Sequence, residues 1–527
     1  MSLAPYTGVW NRQLASHLIK RSSFFVNRDF IQQSVDNGLD ATLDLIFTTN
    51  EPATLPLNPN FTNDPFVSVG ESWVGAQLGI LPAIVDYRRR SLGSWIGEQM
   101  ISHGISIQDK MTIFWHNHFA ISGINDPLYL YKNYKLIRDF AIGDFRELVK
   151  QMTIDVSMLR FLNGNQNTNQ QPNENYAREL LELFTVGKGP LIGPGDHSTF
   201  TEQDVSEIAK VLTGWRDLGF NNTEGFDPLA VFIPERHDTS NKQLSYHFNN
   251  AVIPNGGEQE YSNLIDVIFE SDDVALFISR KLYRWFVYYN ITDEIEQDVI
   301  VPMAQILRDN DYNIESALRA LLRSEHFFES CNLGVCIRNP LDYLIQTMSL
   351  FEFDLETDNL LSQYDLNFIF LFGASLMQME IYNPPAVAGW KAYYQEPSFY
   401  RIWLNSSTLP LRKLIIDILW VTGIQVENGV QNRRIDPFKI IEWTDNPADI
   451  NSIITDVSSV LFTYELTEGQ HNFLKDVVLE GLAESDWTEA YVNFQADPDN
   501  MALANIIRLR LISLFINMCY LPEYQLN

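Results

Sequence analysis

The chain has 527 residues, enough for one large domain or for two to three ordinary ones. Hydrophobic residues make up 45% and aromatics 13%, so a large core is attainable and global disorder is excluded. The 67 acidic against 37 basic residues give a formal charge of -30, which argues against a nucleic-acid backbone or an anionic membrane as the main partner.

Residues 9–24 read as an amphipathic helix with Trp10, Leu14 and Leu18, ending near Lys20 and Arg21. His17 lies on its apolar side, as a buried structural histidine does. Phe30, Ile31, Val35, Leu39, Leu43 and Ile46 repeat at three to four and predict a second helix from Asp29 to Phe47. Residues 49–70, rich in Pro, Asn and Thr, read as a long loop. Arg88-Arg89-Arg90, the densest basic spot, leads into a helix with Leu92, Trp95, Ile96 and Met100. Asp109 opens a mostly apolar helix through Phe119. Tyr129 to Phe140 and Phe145 to Leu162 are further amphipathic segments. Residues 163–173 are nearly all Asn, Gln, Gly and Thr, a loop that delivers a central helix at Pro172, because proline suits a helix start. Gly187, Gly189, Gly193 and Gly195 end that helix. Thr201-x-x-Asp204 resembles a capping box ahead of Val205, Ile208, Ala209 and Leu212.

Residues 216–262 are irregular, with a short strand expected at Ala230-Val231-Phe232-Ile233. Helices resume between 264 and 351. Residues 381–410 form a second irregular region, and the chain is helical again from Leu411, with breaks near 425–446 and 495–500. The expected class is mostly α. A large bundle-like domain with a central polar site covers 1–430, and a small helical unit, 431–527, packs on it. No apolar run reaches the roughly 18 residues of a membrane span; Leu414 to Ile424 and Leu509 to Tyr520 read as buried helices. No secretory signal is visible ahead of Leu3-Ala4-Pro5-Tyr6, so the protein is either cytoplasmic or has lost an export signal. Cys331 and Cys336 either close a small disulfide or remain two thiols; without a Cys-x-x-Cys pair a zinc ribbon is unsupported.

The residues with chemical capacity fall in four segments. His116 and His118, after Trp115, are candidate metal ligands, since neutral imidazole is the commonest nitrogen ligand. On an ideal helix a His-x-His pair points roughly 200° apart, so a shared metal requires a helix end or a strand. Asn175, Arg178, Glu179 and Glu182 form one stripe of the central helix, with Glu174 on its border. Its carboxylates can hold a metal or divide acid and base roles if buried, and Arg178 can bind an anion; the alternative is a solvated ion-pair face. His237 and Asp238, with Lys242, lie in a loop, where site residues are common. Asn383 to Trp390, held extended by Pro384 and Pro385, is either the wall of a cleft or a loop sealing the core. No Gly-x-Ser-x-Gly, P-loop, dinucleotide fingerprint, EF-hand or His-Glu-x-x-His occurs.

Taken together, these segments resemble a bacterial family catalogued as domain of unknown function 1800. The resemblance runs from Leu3-Ala4-Pro5-Tyr6-Thr7-Gly8 and His17-Leu18 through Phe114-Trp115-His116-Asn117-His118-Phe119. It continues in Asn173 to Leu180, Leu212-Thr213-Gly214-Trp215, His237-Asp238 with Lys242, Arg280-Lys281-Leu282 and Asn383 to Trp390, and closes at Leu521 to Leu526. Phe25 departs from the glycine common in the family after Ser22-Ser23-Phe24. Family members are often encoded beside an exported protein resembling sulfatases and phosphatases, which implies an extracytoplasmic setting and a partner.

Two functions follow. In the first, His116 or His118, His237, Glu174, Glu179, Glu182, Arg178 and Asp238 converge in a cleft. They carry out metal- or carboxylate-assisted hydrolysis with a divalent metal, while Trp115, Asn175, Lys242, Asn383 and Trp390 contact substrate, for which a carbohydrate suits an acidic, aromatic-rich chain. In the second, a non-catalytic binding or assembly protein uses the same residues as a buried network that fixes helix packing. A solvent-connected cluster marks the first, and a sealed, mutually satisfied one marks the second.

Overall fold

In the computed structural model, which describes residues 2–527 apart from 79–80, 222–223, 226, 427–428 and 430, helices carry 57% of the chain and strands only 7%. The mostly α class expected from periodicity is what forms. The strands described make four two-stranded antiparallel ribbons. One pairs Trp215 with Phe232 and Leu218 with Leu229, close to the expected strand at 230–233.

Short polar side chains set many helix starts. Asn11 accepts the Leu14 amide and opens Arg12–Ser22, and Asp126 accepts the Leu128 and Tyr129 amides ahead of Pro127–Asp139. Thr201 and Asp204 form the reciprocal capping box expected there. Two expected helices are divided. The segment from Asp29 to Phe47 is Arg28–Asn37 followed by Leu39–Ile46, because Gly38 takes φ +82°, a left-handed backbone that ends one helix and turns into the next. The segment from Phe145 to Leu162 is Phe145–Thr153 followed by Val156–Phe161, because Asp155 accepts the Met158 amide and starts a new helix.

One continuous core runs from Leu14 to Tyr524. The helix of the triple arginine begins at Pro82 and continues to Ser102. It lies flush against Leu360–Leu376: a Cβ on Gly97 would sit 2.1 Å from the Asn367 carbonyl oxygen, and one on Gly93 would sit 2.9 Å from the Phe368 ring. Its arginines diverge. Arg88 turns inward to pair with Asp64 at 2.7 Å, and Arg90 turns outward to Asp365 at 2.8 Å.

The stretch after 431 packs on the rest through buried contacts. The Lys20 ammonium donates to the Val460 and Leu461 carbonyls, Phe351 meets Phe515, and Ile337 bridges to Leu526. The last long helix, Met501–Tyr520, starts just after the expected break at 495–500 and carries the apolar run that begins at Leu509. At that length it is apolar enough to cross a membrane by length and composition alone. Ile507, Leu511, Leu514, Phe515 and Met518 nevertheless lie in the core. Cys331 is exposed, Cys336 is buried, and both are free thiols.

Candidate functional site

Gln108–His118 is buried along its whole length. Trp115 donates its indole N–H to the Ala141 carbonyl at 2.9 Å and stacks on Phe145, so it is core rather than cleft wall. His116 and His118 engage different neighbours, as helical geometry requires for an i, i+2 pair. His116 Nε2 accepts the Tyr382 amide at 3.0 Å, and its ring stacks on Trp390 with centroids 5.5 Å apart. Between the histidines, Asn117 Oδ1 accepts the Trp390 amide at 2.8 Å. Gly389 makes this approach possible: it has φ +85°, and a Cβ there would lie 2.3 Å from Asn117 Oδ1. The Phe-Trp-His-Asn-His-Phe and Asn-Pro-Pro segments are thus two halves of one clasp. Asn383 itself is exposed and donates to Glu380 at 3.0 Å.

His118 turns toward the end of the central helix. Pro172 precedes that helix rather than starting it; Asn173 is the cap, and Glu174–Glu179 passes into a π-helical turn, Leu180–Phe184. The wider turn leaves carbonyls for partners outside the helix. His118 Nε2 donates to the Phe184 carbonyl at 3.1 Å, and the Lys281 ammonium donates to His118 Nδ1 and to the Leu183 carbonyl, each at 3.0 Å. Burial holds the His116 imidazolium down to about 3. Burial, then the charge of Lys281, holds His118 well below its ordinary range. Burial and the nearby Arg284 bring Lys281 itself to about 7.

The polar stripe of the central helix faces outward. Arg178 forks onto Glu202 at 2.9 and 2.7 Å, with Glu174 at 3.4 Å and Glu182 at 3.6 Å, and Lys188 joins Glu182 at 2.8 Å. Burial, then the neighbouring Glu182, raises the Glu179 carboxyl. Asn175 ties back to the Leu162 carbonyl at 3.2 Å. This is a ladder of partly solvated charges.

The third group is sealed. His237 Nε2 meets Glu260 Oε2 at 3.0 Å, and its Nδ1 meets the Thr213 carbonyl at 2.9 Å. Lys242 reaches Glu260 Oε1 at 2.5 Å and the Asp238 carbonyl at 2.5 Å, while the Gly256 amide donates to Glu260 Oε2 at 3.0 Å. Glu260 and Lys242 have no exposed surface. Asp238 sits at the edge. Burial pushes its carboxyl up, but the Ser240 hydroxyl and amide and the charge of Lys242 outweigh it and leave it below the usual range.

The expected residues therefore fall into separate groups, and the single His/Glu/Asp cleft does not assemble. His237, Asp238 and Lys242 do meet, around Glu260, which periodicity could not single out from the solvated run Glu258-Gln259-Glu260. Lys281 carries no separate signal beyond the Arg-Lys-Leu segment it belongs to. Among the described residues no three His, Cys, Asp or Glu side chains gather to hold a metal ion. Both ring nitrogens of His118 and of His237 are already engaged, so His116, His118 and His237 do not make a ligand set.

Open space lies elsewhere, along the Pro82–Ser102 and Leu360–Leu376 pair. Three adjoining cavities of about 300, 320 and 250 Å³ share Arg90. The first has apolar walls from Ile96, Leu130, Phe368 and Phe372, with Asp86, Arg89 and Glu380 at its rim. Its Glu380-Ile381-Tyr382 wall belongs to the clasp. His116 holds the Tyr382 amide, and the Tyr382 hydroxyl donates to the Leu130 carbonyl at 2.8 Å. Phe372 is 55% exposed and stacks on Phe368, over which the Arg90 guanidinium lies at 5.0 Å.

A family model described as a protein of unknown function (DUF1800) matches residues 17–526. No curated protein and no solved structure matches the chain.

Proposed function

The chain belongs to the DUF1800 family, and from that premise we propose that it is a binding protein whose family motifs build and brace a groove for an apolar segment of a partner protein. The observation that carries this reading is the groove itself. Three linked cavities along one helix pair offer apolar walls, exposed Phe372 and a rim of mixed charge, and the His116–Tyr382 hydrogen bond fixes one wall. The dimensions suit peptide side chains. The rim carries both signs, whereas the chain as a whole carries -30, so a partner segment with apolar residues flanked by Lys or Arg fits best. Under this reading the sealed His237–Glu260–Lys242 group and the His118–Lys281 group hold the helices in register and touch no ligand.

The test is a selection of displayed random peptides on the wild-type protein, with Phe372→Asp as the counter-target. Phe372 is exposed, so the substitution leaves the core intact. Enriched peptides carry apolar residues beside basic ones and bind the variant at least about tenfold more weakly, as removal of an aromatic anchor does. Peptides that bind both proteins equally would sink the assignment of the groove.

A further inference from the structure

A separate cavity, remote from the groove in its lining residues, lies between the Arg12–Ser22 helix, the end of Asp272–Phe286 and the start of Pro340–Leu350. Three cations line it, Arg21, Lys110 and Arg284, against one lining carboxylate, Asp342. Asp342 is already taken: Lys110 and Asn339 both donate to it. Arg21 spends its Nε and one terminal nitrogen on the Phe286, Trp285 and Val287 carbonyls. Arg284 donates its Nε to the Tyr289 carbonyl at 3.4 Å and lies over the Phe399 ring, but makes no ion pair among the described residues. The indole N–H of Trp403, another lining residue, is buried and has no partner. A cavity lined by three cations and one unpartnered indole N–H, inside a protein of charge -30, suits an anionic group.

We propose that this cavity binds the carboxylate of a small organic acid. Size selects the class. The cavity measures about 20 Å³, room for one or two water-sized groups. The two oxygens of a carboxylate fit that space, with the rest of the acid outside it, and match the two terminal nitrogens of Arg284, whereas the four oxygens of phosphate exceed it. Arg284 and Arg21 supply the charge and Trp403 a directed N–H.

Isothermal titration with acetate and propionate, and separately with chloride and inorganic phosphate, tests this on the full chain. The expected result is one saturable carboxylate site, with chloride and phosphate weaker. Arg284→Gln and Trp403→Phe each weaken it by about tenfold, since a charge-assisted or buried hydrogen bond is lost. If Arg284→Gln fails to fold, Trp403→Phe, which removes the N–H together with part of the buried indole ring, decides on protein whose urea midpoint shows it folded. No saturable carboxylate uptake at millimolar concentration, chloride or phosphate binding as tightly as acetate, or unchanged affinity in the folded variants would overturn the assignment.

Discussion

Replacing Glu260 with Gln separates a structural network from a catalytic one. The carboxylate has no exposed surface and receives the Gly256 amide at 3.0 Å, His237 Nε2 at 3.0 Å and the Lys242 ammonium at 2.5 Å. Glutamine keeps the shape and one acceptor but removes the charge. Lys242, equally buried, is left with the Asp238 carbonyl at 2.5 Å and the Asp238 carboxylate only at 3.7 Å. Breaking a buried ion pair from one side costs about 3–5 kcal/mol, because the remaining charge stays in a poor solvent. Residual contact with Asp238 places this case near the lower end, at about 3 kcal/mol. Lys242→Met alone costs a similar amount, and the double variant costs less than the two together, with a coupling of about 2 kcal/mol. Urea unfolding followed by tryptophan fluorescence, at one pH for all four proteins, gives the cycle. A loss below about 1 kcal/mol for Glu260→Gln, or strict additivity, would refute the view that this group holds the fold together.

Two further outcomes follow from the same reasoning. Burial pushes the Asp155 carboxyl up to about 6, against opposing hydrogen bonds from the Met158 amide and Asn133. The folded state therefore binds this proton more tightly than the unfolded chain does. Its contribution is greatest below the ordinary carboxylate range of about 3.9, is lost as pH rises toward about 6, and amounts to at most about 3 kcal/mol. Asp155→Asn keeps an N-cap but cannot titrate, so the stability difference between wild type and variant should change across that window; parallel pH profiles would contradict the shift. Gly389→Ala forces a Cβ to 2.3 Å from Asn117 Oδ1 at φ +85°, and should cost about 3 kcal/mol by left-handed strain plus overpacking, read as a lowered urea midpoint. An unchanged midpoint would show that the clasp is looser than drawn.

Local chemistry accounts for what could be read from the chain alone. Helical periodicity marked the mostly α class, because an apolar stripe at 3.6 residues has to be buried whatever it packs against. The capping box at Thr201 and Asp204 was legible because both partners lie within one turn. The ordered motifs also pointed to the right family. The division of the second helix at Gly38 was missed because its apolar repeat continues unbroken across a glycine whose φ only the fold determines. Which charged residues lie inside was not legible either. Glu174, Glu179, Glu182 and Glu260 are alike in isolation, yet Glu174 and Glu182 pair with Arg178 at the surface while Glu260 is sealed under His237 and Lys242, 23 and 18 residues away in sequence. The clasp between Asn117 and Trp390 spans 273 residues. The groove depends on Gly93 and Gly97 meeting Phe368 and Asn367 across two helices. Such pairings are long-range contacts that no window of sequence contains. The sequence by itself determined which segments coil and which residues were chemically capable. Only tertiary packing decided which of those residues meet, because burial, and with it the state of every carboxylate and imidazole, belongs to the neighbours that folding brings in.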